Sequence, residues 1–99
     1  MSSFSFAGLK LPVMDVEMED GSILHVNSPS VKSAAILTSI FDDGVTDQAV
    51  TDALAIFLSD NREGIKYKPE DFEQMPVVAQ YKFVTEYYKF LADTLAGKN

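Results

Sequence analysis

The sequence has no cysteine, no tryptophan and a single histidine, His25, among its 99 residues. Without cysteine the chain forms no disulfides and no thiolate metal sites, and it has no thiol nucleophile. A metal site usually needs several nitrogen, sulfur or carboxylate ligands that converge, and one histidine supplies only one of these ligands. We therefore predict that the chain uses neither a metal nor another cofactor, and that His25 pairs with acidic neighbours on a strand.

Basic residues are also scarce. Eight Lys and Arg stand against 15 Asp and Glu, which gives a formal net charge of −7. Proteins that bind phosphate backbones do so through clusters of Lys and Arg, and the sequence contains no such cluster. The charge is typical of a soluble protein and argues against nucleic acid as a direct partner.

Long apolar runs are missing as well. No run approaches the ~18 residues that a membrane-spanning helix requires. The N-terminal residues do not combine a positive segment with an apolar stretch of signal-peptide length. We expect a cytoplasmic protein with no membrane partner.

Motifs that carry chemistry are absent too. There is no glycine-rich phosphate loop and no nucleophile motif around any serine, and nothing in the spacing selects one catalytic pair from the fifteen acids. Two acidic turns, residues 42–44 and 60–64, resemble fragments of calcium loops. Neither has alternating acidic ligands followed by a glutamate at the twelfth position. We therefore predict that the protein is not an enzyme, has no catalytic residues, and acts through its surfaces.

The sequence does contain the proportion of apolar residues that is typical of a globular protein. They make up 46% of the chain and include seven Phe and four Tyr, which is too many for a disordered protein. The length favours one domain covering residues 1–99. Within it, residues 1–12 are expected to form an edge strand or a flexible arm, because Phe4 and Phe6 alternate with serines.

Residues 13–27 are predicted to form a β-hairpin. Apolar and acidic residues alternate before the turn, and two loop lengths are conceivable. A two-residue loop would place Leu24 opposite Glu17, on the acidic face. A three-residue loop, residues 19–21, pairs Val16 with Leu24 and puts Gly21 at the left-handed position that a bulged hairpin favours. We predict the three-residue loop, which also pairs Met14 with Val26 and Asp15 with His25.

Residues 28–97 are predicted to form a helical body. The first helix is expected to begin with Ser28 as N-cap and Pro29 at its first position, and to end near Phe41. Thr46 is predicted to cap the second helix, whose apolar residues recur at helical spacing. These are Val50, Ala53, Leu54, Phe57 and Leu58. A short helix at residues 69–71 and a last helix from Pro76 to Gly97 complete an α+β fold, a small antiparallel sheet packed on three to four helices.

The last helix has an unusually wide apolar arc, about half of the helical wheel at ~100° per residue. One stripe is expected to pack in the core. It contains Val77, Tyr81, Val84, Tyr88, Leu91 and Leu95. A second stripe of Phe83, Tyr87 and Phe90 lies beside it. This second stripe is either further core or an exposed face for a partner, and we predict that it is the partner-binding site because aromatic residues bury a large area at little entropic cost.

Four segments resemble the small tail assembly chaperones of long-tailed (siphovirus-type) bacteriophages or prophages, especially those of Gram-positive hosts. They are residues 16–26 (VEMEDGSILHV), 28–31 (SPSV), 55–64 (AIFLSDNREG) and 80–90 (QYKFVTEYYKF). The third segment is similar to the helix end ILS-N-(K/R)-E-G of such proteins, and the fourth is similar to their last aromatic helix.

The resemblance implies a non-enzymatic chaperone in the host cytoplasm that binds the tape measure protein and keeps it soluble during tail assembly. A homo-oligomer lining a long client is a further expectation. The alternative is a small structural or adaptor protein of the virion, such as a tail or head–tail joining component. An acidic mimic of nucleic acid ranks last, because the carboxylates are scattered between apolar faces.

Overall fold

The structure is a computed structural model that describes residues 3–44 and 46–97. Two strands come first and helices follow, which confirms the predicted α+β class. In chain order the elements are β1 (Met14–Glu17), β2 (Ile23–Val26), α1 (Val31–Asp43), α2 (Asp47–Ser59), a 3-10 helix (Pro69–Phe72) and α3 (Val77–Leu95). None of these helices is long and apolar enough to cross a membrane, as far as the described residues extend.

The hairpin has the predicted register. Val16 lies opposite Leu24 and Asp15 opposite His25 in an antiparallel pair. The N–H of Met18 donates to the carbonyl of Ser22 at 2.8 Å, which leaves a loop of three residues. Gly21 closes this loop with φ of +88°, a conformation that a side chain would strain. The three-residue loop is therefore confirmed, and so is the role of Gly21.

The outer edge of β2 is covered by the segment that follows α2. The N–H of Arg62 donates to the carbonyl of His25 at 2.9 Å, and the N–H of Asn27 donates to the carbonyl of Asp60 at 2.9 Å. Asn61 forms an isolated bridge with Val26. β2 thus lies between β1 and this segment, and β1 is the open edge of the two-stranded sheet.

The core forms around α2, which packs against α1, α3, the 3-10 helix and β2. All five apolar residues predicted for the packed face of α2 are buried: Val50, Ala53, Leu54, Phe57 and Leu58. The predicted N-cap is also confirmed, because the Thr46 hydroxyl accepts a hydrogen bond from the N–H of Ala49 at 3.2 Å. Helical periodicity together with a hydroxyl cap was sufficient to place this element.

The start of α1 differs from the prediction by two residues. Ser30, not Ser28, is the N-cap, and its hydroxyl accepts from the N–H of Ser33 at 3.2 Å. Ser28 instead donates to the carbonyl of Pro12 at 2.6 Å. The backbone of Ser30 is still extended, with φ of −77° and ψ of 173°, so the helix begins only after it. Val31, the first residue of α1, is 89% exposed.

Residues 3–13 form no strand, and residues 3–11 are exposed. A turn holds them, with the N–H of Gly8 bonded to the Ser5 hydroxyl at 3.1 Å. Their large apolar side chains are exposed, namely Phe4, Phe6, Leu9 and Leu11. The molecule is elongated, 53 × 32 × 20 Å, with a radius of gyration of 14.4 Å; a compact chain of this length has about 13 Å. An edge strand and a flexible arm were the two structures expected for residues 1–12. The described part of this segment does not form the edge strand within the single chain.

Candidate functional site: two apolar surfaces beside the last helix

The middle of the apolar arc of α3 is the part that enters the core. Val84 and Tyr87 are buried at 1% and 0% exposure, and Gln80 lies one turn before them on the same face. Val84 was expected in the core. Tyr87 was assigned to the partner-binding stripe, and that assignment is wrong for the folded chain because no part of its side chain reaches the surface.

Tyr87 packs between two phenylalanine rings. It stacks on Phe57 of α2 with ring centroids 4.3 Å apart, and on Phe83 at 5.8 Å. Burial raises the pKa of Tyr87 to about 12, against a lowering by the nearby Ser33 side chain and a further rise from Asp60. Ser33 thus lies close to the Tyr87 hydroxyl, but within residues 3–44 and 46–97 this buried hydroxyl makes no hydrogen bond of normal geometry.

Phe83 and Phe90, the other two predicted partner-binding residues, are half-buried on one side of this core line. Phe83 lines an apolar cleft of about 210 Å³ between α3 and the hairpin. We call it the hairpin cleft, and its lining is Val16, Glu17, Met18, Glu19, Leu54, Leu58, Met75, Ala79 and Phe83. Partner binding through Phe83 and Phe90 remains a prediction.

The other side of the arc is more exposed. We call it the tyrosine face, and it consists of Val77, Tyr81, Tyr88 and Leu95 of α3 with Phe41 of α1. The rings of Tyr88 and Phe41 lie 4.9 Å apart, and the Tyr81 hydroxyl donates to Asp47 Oδ1 at 3.1 Å. Both tyrosines and Leu95 were predicted to be core. They are exposed instead, by 39%, 46% and 79%.

The reason for this error is geometric. Dividing the apolar arc into a core stripe and a partner-binding stripe requires a boundary between them. The arc is continuous, and the sequence contains no residue that marks such a boundary. The main neighbours of α3 are α2 and α1, and they cover the centre of the arc. Each predicted stripe therefore contributes one edge to the core and leaves its other edge uncovered.

A buried glutamine that sequence reasoning missed holds this arrangement at the start of α3. The Gln80 amide nitrogen donates to the carbonyls of Phe72 and Met75, both at 3.1 Å. Its amide oxygen accepts from the Thr51 hydroxyl at 2.6 Å. Gln80 thus joins α2, the 3-10 helix and α3. The only signal was a polar residue on the apolar side of the helical wheel, which by itself predicts nothing.

The single histidine has a structural role in the hairpin. Glu63 accepts from the backbone N–H of His25 at 2.9 Å and lies 2.6 Å from its Nδ1, while Asp15 lies 3.8 Å from its Nε2. Hydrogen bonds from the backbone and then the side chain of His25 lower the pKa of Glu63. The predicted pairing with acids is confirmed, with Glu63 as the nearer partner. No group of three or more metal-ligating side chains occurs in the described part of the chain.

Comparisons of the chain with protein-family models, with curated proteins and with solved structures give no match. The features that bear on function are therefore the two apolar surfaces and the resemblance of the four sequence segments.

Proposed function

We propose that this protein is a non-enzymatic assembly chaperone that covers an apolar helical segment of a phage tail protein, the tape measure protein, in the host cytoplasm. The observation that carries the proposal is the tyrosine face, an uncovered apolar surface on a chain with a net charge of −7. Exposed apolar patches of this kind are a feature of protein–protein contact sites.

The shape of the tyrosine face suits a helix as its partner. α3 and the C-terminal half of α1 flank a depression of about 290 Å³, which is lined by Ile40, Phe41, Gly44, Tyr81, Val84 and Thr85. An amphipathic helix docks in such a depression through residues spaced three and four apart. Tyrosine and phenylalanine are effective anchors there because they bury a large area while losing few rotamers.

The charge supports the same role. A chaperone must hold an apolar client without forming an insoluble complex, and a net negative charge keeps complexes apart through mutual repulsion. The surface of α3 away from the tyrosine face supplies exposed charge, such as the Glu86–Lys89 pair at 3.5 Å. In the proposed complex the apolar surfaces meet and the charged surface remains in water.

Co-expression with a tape measure protein tests the proposal. The double variant Tyr81→Ala/Tyr88→Ala should lower the soluble fraction of the client several-fold, because it removes two aromatic anchors. The matched control is Lys89→Ala, which changes an exposed residue on the same helix outside the tyrosine face. Both proteins should remain folded, with each substitution changing the unfolding free energy by less than about 1 kcal/mol, as is usual for surface positions.

Two outcomes would contradict the proposal. A client that is equally soluble with the double variant would show that the tyrosine face does not bind it. Finding the protein in purified, completed phage particles would favour the alternative of a structural or adaptor protein, because a chaperone leaves before the particle is complete.

A further inference from the structure

β1 has an open edge along its outer side. The N–H of Met18 points to Ser22 of the partner strand, and backbone groups alternate in direction along an antiparallel strand. The N–H and C=O groups of Asp15 and Glu17 therefore point away from β2. Nothing in residues 3–44 and 46–97 pairs with them as a strand. An extended segment could add a third strand here through main-chain hydrogen bonds.

The hairpin cleft lies beneath this open edge. Val16 and Met18 line it from the sheet, and Phe83 and Ala79 line it from α3. Side chains of a strand alternate between the two sides of a sheet. A strand added next to β1 would therefore direct every second side chain into the apolar cleft and the others to the polar face, where Asp15 and Glu17 are exposed.

The N-terminal arm, residues 3–11, has the complementary pattern. Phe4 and Phe6 alternate with Ser3 and Ser5, and the two phenyl rings lie on one side with centroids 4.9 Å apart. Both rings are unburied in the single chain, at 69% and 85% exposure. The arm has no acidic residue and carries Lys10, whereas the cleft is bordered by Glu17 and Glu19. Alternation, hydrophobicity and charge all match the open edge.

The arm is poorly placed to fold directly onto its own β1. A tight hairpin between the two would need a two-residue turn at Pro12 and Val13, and such turns require a positive φ at their first residue. Proline is restricted to a φ of about −65°. The carbonyl of Pro12 is also held by the Ser28 hydroxyl at 2.6 Å.

We propose that the N-terminal arm of a second copy of this chain occupies the hairpin cleft and pairs with the open edge of β1. Phe4 and Phe6 of the second copy enter the cleft beside Phe83, and its serines face water. Reciprocal exchange of the two arms gives a closed dimer with two equivalent contacts. This inference does not depend on the identity of any client, and it uses a different surface from the tyrosine face.

The oligomeric state tests the proposal. Sedimentation velocity of the full chain should show a dimer. Phe6→Ala should raise the dimer Kd by about tenfold or more, as the loss of a buried aromatic anchor does. Ser3→Ala is the matched control, an exposed arm residue of the opposite alternation, and should leave the Kd unchanged. Ala79→Trp, which fills the cleft from α3, should weaken the dimer even though the arm is intact.

Disulfide trapping then locates the arm. The chain contains no cysteine, so Ser5→Cys in one copy and Glu17→Cys in another leave a single possible cross-link between the mixed proteins. Mild oxidation should yield a covalent dimer of the two variants. The pairings of Ser3→Cys or Ser5→Cys with Asp15→Cys or Glu17→Cys cover the neighbouring registers.

Several results would overturn the proposal. One is a monomer at all accessible concentrations, and another is a dimer that Phe6→Ala leaves intact but Tyr81→Ala/Tyr88→Ala disrupts. A Ser5→Cys/Glu17→Cys double variant that closes only within one chain would assign the cleft to the chain's own arm. The absence of a cross-link in all four pairings would remove the arm from β1. Because these measurements include no client, they can fail while the proposed chaperone function succeeds, and the reverse also holds.

Discussion

The helices α2 and α3 bury their apolar residues in different ways. Every apolar residue that periodicity assigns to the packed face of α2 is buried, from Val50 to Leu58. In α3 only the centre of the apolar arc is buried, at Val84 and Tyr87, and large side chains on both flanks remain partly or largely exposed. The packed face of α2 was predicted correctly. The packed face predicted for α3 includes Tyr81, Tyr88 and Leu95, which are exposed.

The cause of the difference is the number of neighbours. α2 has α1, α3, the 3-10 helix and β2 around it, whereas α3 packs mainly against α2 and α1 and meets the 3-10 helix through Gln80. A helix surrounded by neighbours can bury a complete stripe, but a peripheral helix buries only what faces the core. Surplus apolar surface on a peripheral helix therefore marks a candidate binding surface, but the helical pattern alone does not reveal which residues form that surplus.

The substitutions with the largest expected effect on stability test whether Tyr87 and Phe57 belong to one core. Tyr87→Ala and Phe57→Ala should each lower the unfolding free energy by about 3–5 kcal/mol, since both remove a buried ring. The rings stack at 4.3 Å, so the double variant should be less destabilised than the sum of the two. Urea denaturation provides the measurement.

Tyr88→Ala is the matched control for this experiment, because Tyr88 is the next residue along α3 and is 46% exposed. It should have a much smaller effect. Equal destabilisation by Tyr87→Ala and Tyr88→Ala would mean that α3 is rotated relative to this structure, and the distinction between a buried centre and exposed flanks would be lost.

A smaller effect is expected where the two helices meet at Gln80. Gln80→Leu removes the donor to the carbonyls of Phe72 and Met75 and the acceptor for Thr51. Buried polar groups that lose their partners cost about 1–3 kcal/mol, and thermal or urea unfolding should show this loss. Gln48→Leu is the control, because the Gln48 amide nitrogen donates to Asp52 Oδ1 on the exposed side of α2. Equal stability of the two variants would show that the Gln80 network does not hold α3.

The smallest effect at neutral pH, and the most specific, concerns the Tyr87 hydroxyl. Tyr87→Phe removes a buried hydroxyl that makes no hydrogen bond of normal geometry with the described residues, so stability should be unchanged or higher by up to about 1 kcal/mol. The pKa of Tyr87 is about 12 in the folded chain against an ordinary value of 10.0. Folding thus favours the neutral phenol, a contribution that is complete below pH 10 and is lost as the pH rises towards 12.

Urea denaturation of both proteins between about pH 8 and about pH 11 checks this expectation, because this range begins below the ordinary pKa of 10.0 and extends into the interval up to about 12. The unfolding free energy of the wild-type protein should fall more steeply above pH 10 than that of Tyr87→Phe. Parallel curves for the two proteins would show that the Tyr87 hydroxyl is accessible to water in the folded state, which would weaken the case that the centre of α3 is core.

The three residues predicted to bind a partner differ in burial, as the centre and the flanks of α3 do. Phe83 and Phe90 keep enough exposure to remain candidates for partner binding, because they lie on a flank of the arc. Tyr87 lies at its centre, and the structure removes it from the candidate site. The tyrosine face could not be foreseen, because Tyr81 and Tyr88 have the spacing of core residues and only the position of α1 and α2 shows that they are uncovered.

Local features of the chain were sufficient for the hairpin, its register and the existence of each helix. Alternation of Met14, Val16 and Met18 with acids defines two faces, and a glycine at Gly21 allows one loop length to match them. Caps and breakers act over a few residues, so the start of α2 and both ends of α3 follow from the sequence within a residue or two. The exception is the start of α1, which was predicted at Ser28. The Ser28 hydroxyl instead donates to the carbonyl of Pro12, a residue 16 positions earlier in the chain.

The tertiary structure alone decided which part of a wide apolar arc is buried, how Gln80 is satisfied, and that Glu63 is the nearer partner of His25. The physical reason is the range of the interactions. Backbone conformation and helical periodicity are properties of neighbouring residues, whereas burial depends on the elements that approach from elsewhere in the chain. A sequence of this composition therefore determines an α+β domain with surplus apolar surface, and only the packing of α1, α2 and the hairpin determines where that surface lies.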